Sequence, residues 1–168
     1  MNNLVPGWYL IYTAPKHEKK VCARLADINF QSFLPTTKKL KIWYDRKKYI
    51  DEPLFPSYVF VYLSDVQRYY ECLEVDGALY YVKNGRQAAL VSEKLIHNLR
   101  LITDSQNDVE VSDEPYTAGQ QLVITNGPLA GLSCEVVELQ QKRQLVVRVD
   151  LLRRNIYVTV PRESLMTI

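Results

Sequence analysis

Apolar and polar positions alternate along most of this chain with a period of two, interrupted three times by a helical period. Trp8–Thr13 (WYLIYT) is an aromatic and β-branched run closed by Pro15, and it predicts a strand. Pro15 suits the first turn of a helix and Glu18 adds negative charge there. Val21, Leu25 and Ile28 then recur at i, i+4 and i+7, which predicts a helix of about four turns. Phe30–Pro35 predicts a second strand. Lys38–Tyr44 and Lys47–Leu54 flank Asp45-Arg46, the pattern of a hairpin or a long basic loop. Tyr58–Leu63 (YVFVYL) is the strongest strand. It runs into a capping box, Ser64-Asp65-Val66-Gln67, and a helix carrying Val66, Tyr69, Tyr70 and Leu73. Gly77 ends that helix, Leu79–Val82 and Gln87–Val91 are extended around an Asn84-Gly85 turn, and Ser92 caps a third helix through Leu95, Leu99 and Ile102. Strands and helices mixed in this order predict an α+β sandwich, one sheet with helices packed on a face.

The pattern changes at residue 104. The stretch 104–115 (DSQNDVEVSDEP) holds five acids and no base among Ser, Asn, Gln and Pro, and it predicts a solvated linker. Only short β-type runs follow: Gln121–Thr125, Glu135–Leu139, Leu145–Asp150 and Ile156–Val160, which predict a small barrel. The expected division is a domain over 1–104, an acidic flexible linker over 105–115 and a barrel over 116–168, the barrel folding alone when expressed from about residue 113. Formal charge follows the same cut, at +5 up to residue 103, −5 over 104–115 and +2 beyond. Two basic segments joined by an acidic tether suit a partly polyanionic partner such as nucleic acid.

Composition narrows the chemistry. At 168 residues, 47% hydrophobic and 24% charged, the chain can bury a core, which excludes wholesale disorder. No segment approaches the roughly 18–20 apolar residues of a membrane span, and the first residues lack the basic start of a signal peptide. A cytoplasmic protein with no membrane contact is expected. Cys22, Cys72 and Cys134 stand far apart without a CxxC, and His17 and His97 are the only histidines. That leaves no ingredients for zinc, a disulfide framework or Cys/His catalysis, and the thiols read as small buried hydrophobes. Phosphate-loop, dinucleotide, nucleophile-elbow and metalloprotease motifs are all missing, and Asp51-Glu52 is a lone acidic pair. The expectation is a protein that is not an enzyme and takes no metal or cofactor.

Three constellations carry information. In the first, alternation sets Tyr58, Phe60 and Tyr62 on one face of their strand and Val59, Val61 and Leu63 on the other, and Trp8, Leu10 and Tyr12 repeat the aromatic face. A sheet covered by helices on one side should be polar on the other. Here both sides are apolar, so either both are covered within the fold or one face docks a partner. In the second, Lys38–Lys48 (KKLKIWYDRKK) interleaves six bases with Trp43 and Tyr44. It reads either as a solvated hairpin tip or as a nucleic-acid contact, with lysines on phosphates and aromatics on bases. In the third, Asn126-Gly127-Pro128 and Gly131 reverse the chain between β-type runs.

Taken together, WYLIYTAPKHEKKV, EPLFPSYVFVYL and DGALYYV resemble the N-terminal domain of the NusG family of transcription elongation factors. Residues 118–137, AGQQLVITNGPLAGLSCEVV, resemble the KOW motif opening that family's C-terminal SH3-like barrel, with Gly127, Pro128 and Gly131 at its turns. WYDRKK and EPLFPSYVF are most similar to the specialised paralogues of surface-polysaccharide loci, of the UpxY and RfaH type.

The resemblance implies an antiparallel-rich α/β sandwich followed by a KOW barrel. It implies an antitermination and elongation factor that seats an apolar surface on the clamp helices of RNA polymerase's largest subunit, through positions matching Tyr12, Phe55, Pro56, Tyr58 and Phe60. A second polymerase contact falls on Arg68-Tyr69-Tyr70, where RfaH-type proteins carry a small polar triad. DNA or nascent RNA would meet Arg24, Lys38, Lys39, Lys41, Arg46, Lys47 and Lys48. In the barrel, Leu152 and Arg154 match a surface that binds Rho or a small-subunit ribosomal protein, while Cys134 and Arg153 replace customary glycines. The β-branched content of LVVRVDLLRRNIYVTV favours a barrel that stays β. A monomer is expected. The leading reading is a processive antiterminator of a polysaccharide operon. The alternatives are a general NusG-like factor coupling polymerase to ribosome or Rho, and an RNA-binding or ribosome-associated KOW module that needs no polymerase.

Overall fold

A computed structural model describes residues 4–105, 108–112, 119–123, 133–139 and 142–159. The chain divides into two units, Met1–Glu93 and Lys94–Ile168.

The first unit runs β1 (Gly7–Thr13), α1 (Glu18–Asp27), β2 (Ser32–Phe33), β3 (Thr36–Ile42), β4 (Lys47–Pro53), β5 (Tyr58–Leu63), α2 (Val66–Glu74) and β6 (Ala78–Tyr81). The short strands β7 (Lys83–Asn84), β8 (Gln87–Ala88) and β9 (Leu90–Val91) follow. Its sheet has the order β2-β5-β1-β6 with β9 also on β1, while β3 and β4 form a separate two-stranded hairpin. All these pairings are antiparallel.

Alternation explains the layering. Tyr9 and Ile11 of β1 and Val59, Val61 and Leu63 of β5 share a face and form one core with Val21 and Leu25 of α1 and Cys72 of α2. Burying each such aliphatic side chain contributes roughly 1.5–3 kcal/mol. The opposite face gathers the other set through the register Trp8↔Tyr62, Leu10↔Phe60 and Tyr12↔Tyr58.

Local chemistry moves several boundaries from their expected places. Helix α1 begins at Glu18 rather than near Pro15, because Lys16 adopts a φ of 63° that interrupts the helical path. It ends after ten residues, with Asn29 at a φ of 59°, the left-handed position that Asn tolerates. The strand expected over 30–35 shrinks to Ser32–Phe33: the Phe30 N–H is already spent on the Leu25 carbonyl at 2.9 Å, and Pro35 has none to offer a ladder. The cap of α2 is Asp65, not Ser64. Its Oδ1 accepts from the Arg68 N–H at 2.9 Å while Ser64 Oγ donates to Oδ2 at 2.7 Å, and these bonds hold the carboxyl below its usual pKa. Gly77 turns the chain into β6 at a φ of +99°, where a Cβ would lie 2.9 Å from Val21 Cγ2.

In the second unit, α3 (Glu93–Asp104) buries Ile96, Leu99 and Ile102. It is followed by β10 (Asp108–Ser112), β11 (Gln120–Val123), β12 (Ser133–Leu139), β13 (Lys142–Val149), a single 3₁₀ turn (Asp150–Leu152) and β14 (Arg154–Thr159). The strands make one five-stranded sheet in the order β10-β14-β13-β12-β11, all antiparallel. Leu145, Val147, Val149, Ile156 and Val158 are buried.

Two features depart from expectation. The stretch read as a flexible linker contains β10, whose Val109 and Val111 lie opposite Val158 and Ile156; its acids alternate with valines, and that period of two outweighs the acidic composition. The division between units also falls between Glu93 and Lys94, at the start of α3, rather than within 105–115. Arg153, at a position where the resemblance leads one to expect glycine, sits at φ 51° and ψ 44° after the 3₁₀ turn. Glycine reaches that left-handed region freely, whereas a side chain there costs about 1 kcal/mol or more.

Candidate functional site

Three tyrosines line up across three strands at one end of the first unit's sheet. Tyr12 of β1 lies opposite Tyr58 of β5 on one side and Tyr80 of β6 on the other. Tyr12 and Tyr58 meet edge to face at 5.3 Å, and Tyr12 and Tyr80 stack at 5.0 Å. Such pairs add about 0.5–1.5 kcal/mol each beyond area burial, so the rings hold one another in place. Tyr80 is 53% exposed and Leu79 beside it 51%, while Tyr12 and Tyr58 are half-buried. The row is an ordered aromatic patch with a wet edge.

The aromatic face is therefore divided along its length. Trp8, Leu10 and Phe60 are interior, with Phe60 wholly buried beside Phe33 at 6.0 Å. Of the five positions that the resemblance marked for polymerase, Tyr12 and Tyr58 lie in the row and Pro56 is exposed. Phe55 and Phe60, at 3% and 0% exposure, are core residues and present nothing to a partner in this structure. The physical reason is register: Phe60 pairs with Leu10 in the middle of the sheet, whereas Tyr58 pairs with Tyr12 at its end. Tyr80 is missing from the sequence-derived set; it meets Tyr12 only through the pairing of β6 with β1, in the same register as Ile11 with Tyr81.

The corner before the row is pinned by a buried acid. Glu18, 5% exposed, accepts the Ser57 N–H through Oε1 at 2.7 Å, and the Ser57 carbonyl accepts from the Thr13 N–H at 2.8 Å. Ser57 has a φ of 67°, so this corner needs those bonds to hold its shape. Thr13 Oγ1 is buried beside it and has no hydrogen-bond partner among the described residues.

The Arg68-Tyr69-Tyr70 triad separates into different roles. Arg68 lies 4.5 Å over the Phe30 ring, donates to the Ile28 carbonyl at 3.1 Å and meets Glu71 at 3.3 Å, tying α2 to the end of α1. Tyr69 stacks on Tyr81 at 4.3 Å, and the Tyr81 hydroxyl donates to the Tyr69 carbonyl. Burial pushes the Tyr81 hydroxyl pKa far up. Tyr70 alone is exposed, at 46%.

Among the basic residues, Arg24 is engaged with Asp76, through a 2.7 Å ion pair and a 2.6 Å bond to its carbonyl. The hollow beside it is lined by Asp27, Glu71 and Glu74, a poor setting for phosphate. Lys38, Lys39, Lys41, Arg46, Lys47 and Lys48 all lie exposed on the β3–β4 hairpin. Lys39 and Lys41 share Glu52 at 3.6 and 2.7 Å, which holds the Glu52 carboxyl below its usual pKa. The hairpin is tied to α1 by Lys19, whose Nζ donates to the Asp51 carbonyl at 2.8 Å.

In the second unit Leu152 is half-buried and Arg154 exposed at the start of β14. Gly127, Pro128 and Gly131 lie outside the described residues. Cys72 and Cys134 are buried, and desolvation pushes each thiol pKa up to about 11, which keeps both protonated near neutrality. Among the described residues no group of His, Cys, Asp and Glu is placed to hold a metal ion, and no helix is long and apolar enough to cross a membrane.

Comparison with known proteins places this geometry. A family profile described as NusG, transcription termination factor nusG, matches residues 6–100. Among solved structures, one titled for domain interaction in Thermotoga maritima NusG is similar at a TM-score of 0.53 and 20% identity, over 92% of this chain and 93% of that one. A structure of the MjSpt4:Spt5 complex matches at a TM-score of 0.33 and 13% identity, over 82% of this chain and 83% of the other.

Proposed function

The chain belongs to the NusG family of transcription factors, and from that premise we propose that it binds RNA polymerase and promotes processive, termination-resistant transcription. The observation that carries the proposal is the Tyr58–Tyr12–Tyr80 row, an ordered aromatic patch within the span that matches the family. Half-buried tyrosines held by one another lose little entropy on binding, and aromatic residues are the usual anchors of protein interfaces. The proposed patch is Tyr12, Tyr58 and Tyr80 with Pro56 and Leu79 at its margin, and its partner is the clamp helices of the largest polymerase subunit. Phe55 and Phe60 are left out of the patch as core residues, Phe60 on the same face further into the sheet. Residues 116–168 are read as the KOW barrel, with Leu152 and Arg154 on its partner surface. No catalytic role is assigned to any residue, and the reading needs no cofactor.

Within the family, we assign the chain to the specialised paralogues of polysaccharide loci on the wording of WYDRKK and EPLFPSYVF. The exposed basic hairpin supplies the nucleic-acid contact that a locus-specific factor needs. The test is a polymerase pull-down paired with a terminator read-through assay on the Tyr12→Ala and Tyr80→Ala variants. Each is expected to cost about 2 kcal/mol or more of polymerase binding and to lower read-through. Variants that stay folded, bind polymerase normally and still suppress termination would remove the site.

A further inference from the structure

Glu18 is the first residue of α1, yet its carboxyl does not serve that helix. His17, at the N-cap, makes no side-chain bond to the first turn, and an acid there could. Glu18 Oε1 instead accepts the Ser57 N–H at 2.7 Å, from a residue 39 positions further along the chain. The side chain is buried, and among the described residues it has no ion pair. A buried carboxyl spent on one backbone N–H is a costly fixture, so what it fixes matters.

It fixes a conformation that Ser57 would not hold alone. Ser57 sits at a φ of 67°, in the left-handed region that side chains disfavour. Its N–H is bound to Glu18 and its carbonyl accepts from the Thr13 N–H at 2.8 Å. On either side, Phe55 and Val59 are core residues. The stretch left to move is therefore Pro56, Ser57 and Tyr58. Without the Glu18 acceptor, Ser57 relaxes toward negative φ and carries Pro56 and Tyr58 with it. Tyr58 meets Tyr12 edge to face, and Tyr12 stacks on Tyr80, so a shift of Tyr58 reaches the whole row. The approach to α1 backs the other two strands as well. The Ala14 N–H donates to the Gly77 carbonyl at 2.9 Å, and a Cβ on Gly77 would lie 3.4 Å from that of His17.

We infer that Glu18 is a positioning residue for the polymerase-binding patch: it sets the Ser57 corner so that Pro56 and the tyrosine row meet the partner already oriented. A preordered surface loses less entropy on binding than one that must be ordered by its partner. The inference rests on the proposed function and deepens it by naming the residue, outside the patch, on which the patch's affinity depends.

The experiment uses the full chain, with polymerase affinity measured well below each variant's melting temperature. Glu18→Ala is expected to weaken binding about tenfold, the scale of one lost charge-assisted hydrogen bond. Glu18→Gln keeps an acceptor for the Ser57 N–H and should keep the affinity. Near-UV circular dichroism reads the row directly: Glu18→Ala should lose the tyrosine signal that Tyr12→Phe removes, with the far-UV spectrum unchanged. Ser57→Gly separates order from stability, because glycine adopts the positive φ freely. The double variant Glu18→Ala/Ser57→Gly should regain the melting temperature without regaining affinity. Where Glu18→Ala does not fold, that double variant against Ser57→Gly alone carries the comparison. Affinity restored together with the melting temperature gives Glu18 a purely structural role and overturns the inference. So does a Glu18→Ala variant that binds as wild type while Tyr12→Ala is weakened, an outcome that leaves the patch standing. A wild-type chain that does not bind polymerase overturns the proposed function and this inference with it.

Discussion

The pairs β1–β5 and β3–β4 are both antiparallel and both alternate, one with a tryptophan in its strand and one with a tryptophan at its turn, yet they treat their apolar residues in opposite ways. Trp8, Leu10 and Phe60 are 5%, 0% and 0% exposed, against 45%, 45% and 67% for Trp43, Leu40 and Tyr49. Alternation specifies a strand but not what lies above it. In β1–β5 the intervening residues are apolar too, so neither face is suited to water. In β3–β4 the intervening residues include Lys39, Lys41 and Lys48, which hold one face in solvent. An isolated two-stranded hairpin is marginally stable in water. This one is anchored at its root by the Leu54 N–H on the Pro35 carbonyl at 2.8 Å and by Lys19 on Asp51.

Substitution at matched aromatic positions breaks the comparison most sharply. Phe60→Ala is expected to cost roughly 3–5 kcal/mol of folding free energy, because a fully buried ring leaves a cavity. Tyr49→Ala should change stability by no more than about 0.5 kcal/mol. Chemical denaturation of the two variants measures both, and equal losses would mean the hairpin is packed in solution. A smaller effect sharpens the same contrast at the end of β1. Thr13→Val replaces a buried hydroxyl that has no partner among the described residues, and a gain of about 1 kcal/mol is expected in the same denaturation experiment. A loss would show that the hydroxyl has a partner in solution.

The smallest effect is one of pH and belongs to the hairpin alone. Lys41 first, through its hydrogen bond, and then the Lys41 and Lys39 charges hold the Glu52 carboxyl below its ordinary value of 4.5. A depressed carboxylate stabilises the fold above its unfolded value and loses that contribution as the pH falls through the folded one. Amide exchange in β3 and β4 should therefore quicken as the pH drops below 4.5, relative to the intrinsic rate, while β1 and β5 keep their protection. In Glu52→Gln the extra quickening should vanish.

What was legible in the sequence follows the same contrast. The period of two in YVFVYL and WYLIYT located β5 and β1, and the basic run with Asp45-Arg46 at its centre located the hairpin. Elements set by single-residue geometry were hidden. The positive φ of Lys16 delayed α1, and the Asp65 side chain displaced the expected cap of α2. The strand Asp108–Ser112 was masked because acid content spoke for solvent while Val109 and Val111 spoke for a sheet. For the site, residue type was readable and depth was not. Tyr58 and Phe60 share one face, but only the pairing of Leu10 with Phe60 and Tyr12 with Tyr58 tells which lies inside. Tyr80 joins the row only through the pairing of β6 with β1, and no local pattern encodes that meeting. On the hairpin the lysines outnumber the apolar residues and hide the alternation of Leu40 and Ile42 between them, with Tyr49 opposite Leu40.

Glu18 and Lys19 are consecutive residues in the first turn of α1, and they grip different parts of the molecule. Glu18 holds the backbone of Ser57, one residue before the tyrosine row, and Lys19 holds the backbone of Asp51 near the hairpin root. The hairpin is a stiff arm with seven residues per strand, about 23 Å long at some 3.3 Å per residue, clamped at its inner end. A sideways force at Trp43 thus acts with leverage on that clamp, and the torque arrives at the same helical turn that fixes the corner before Tyr58. Loads on the tip and on the tyrosine row are thus mechanically in series, with one turn of helix as the fulcrum between them.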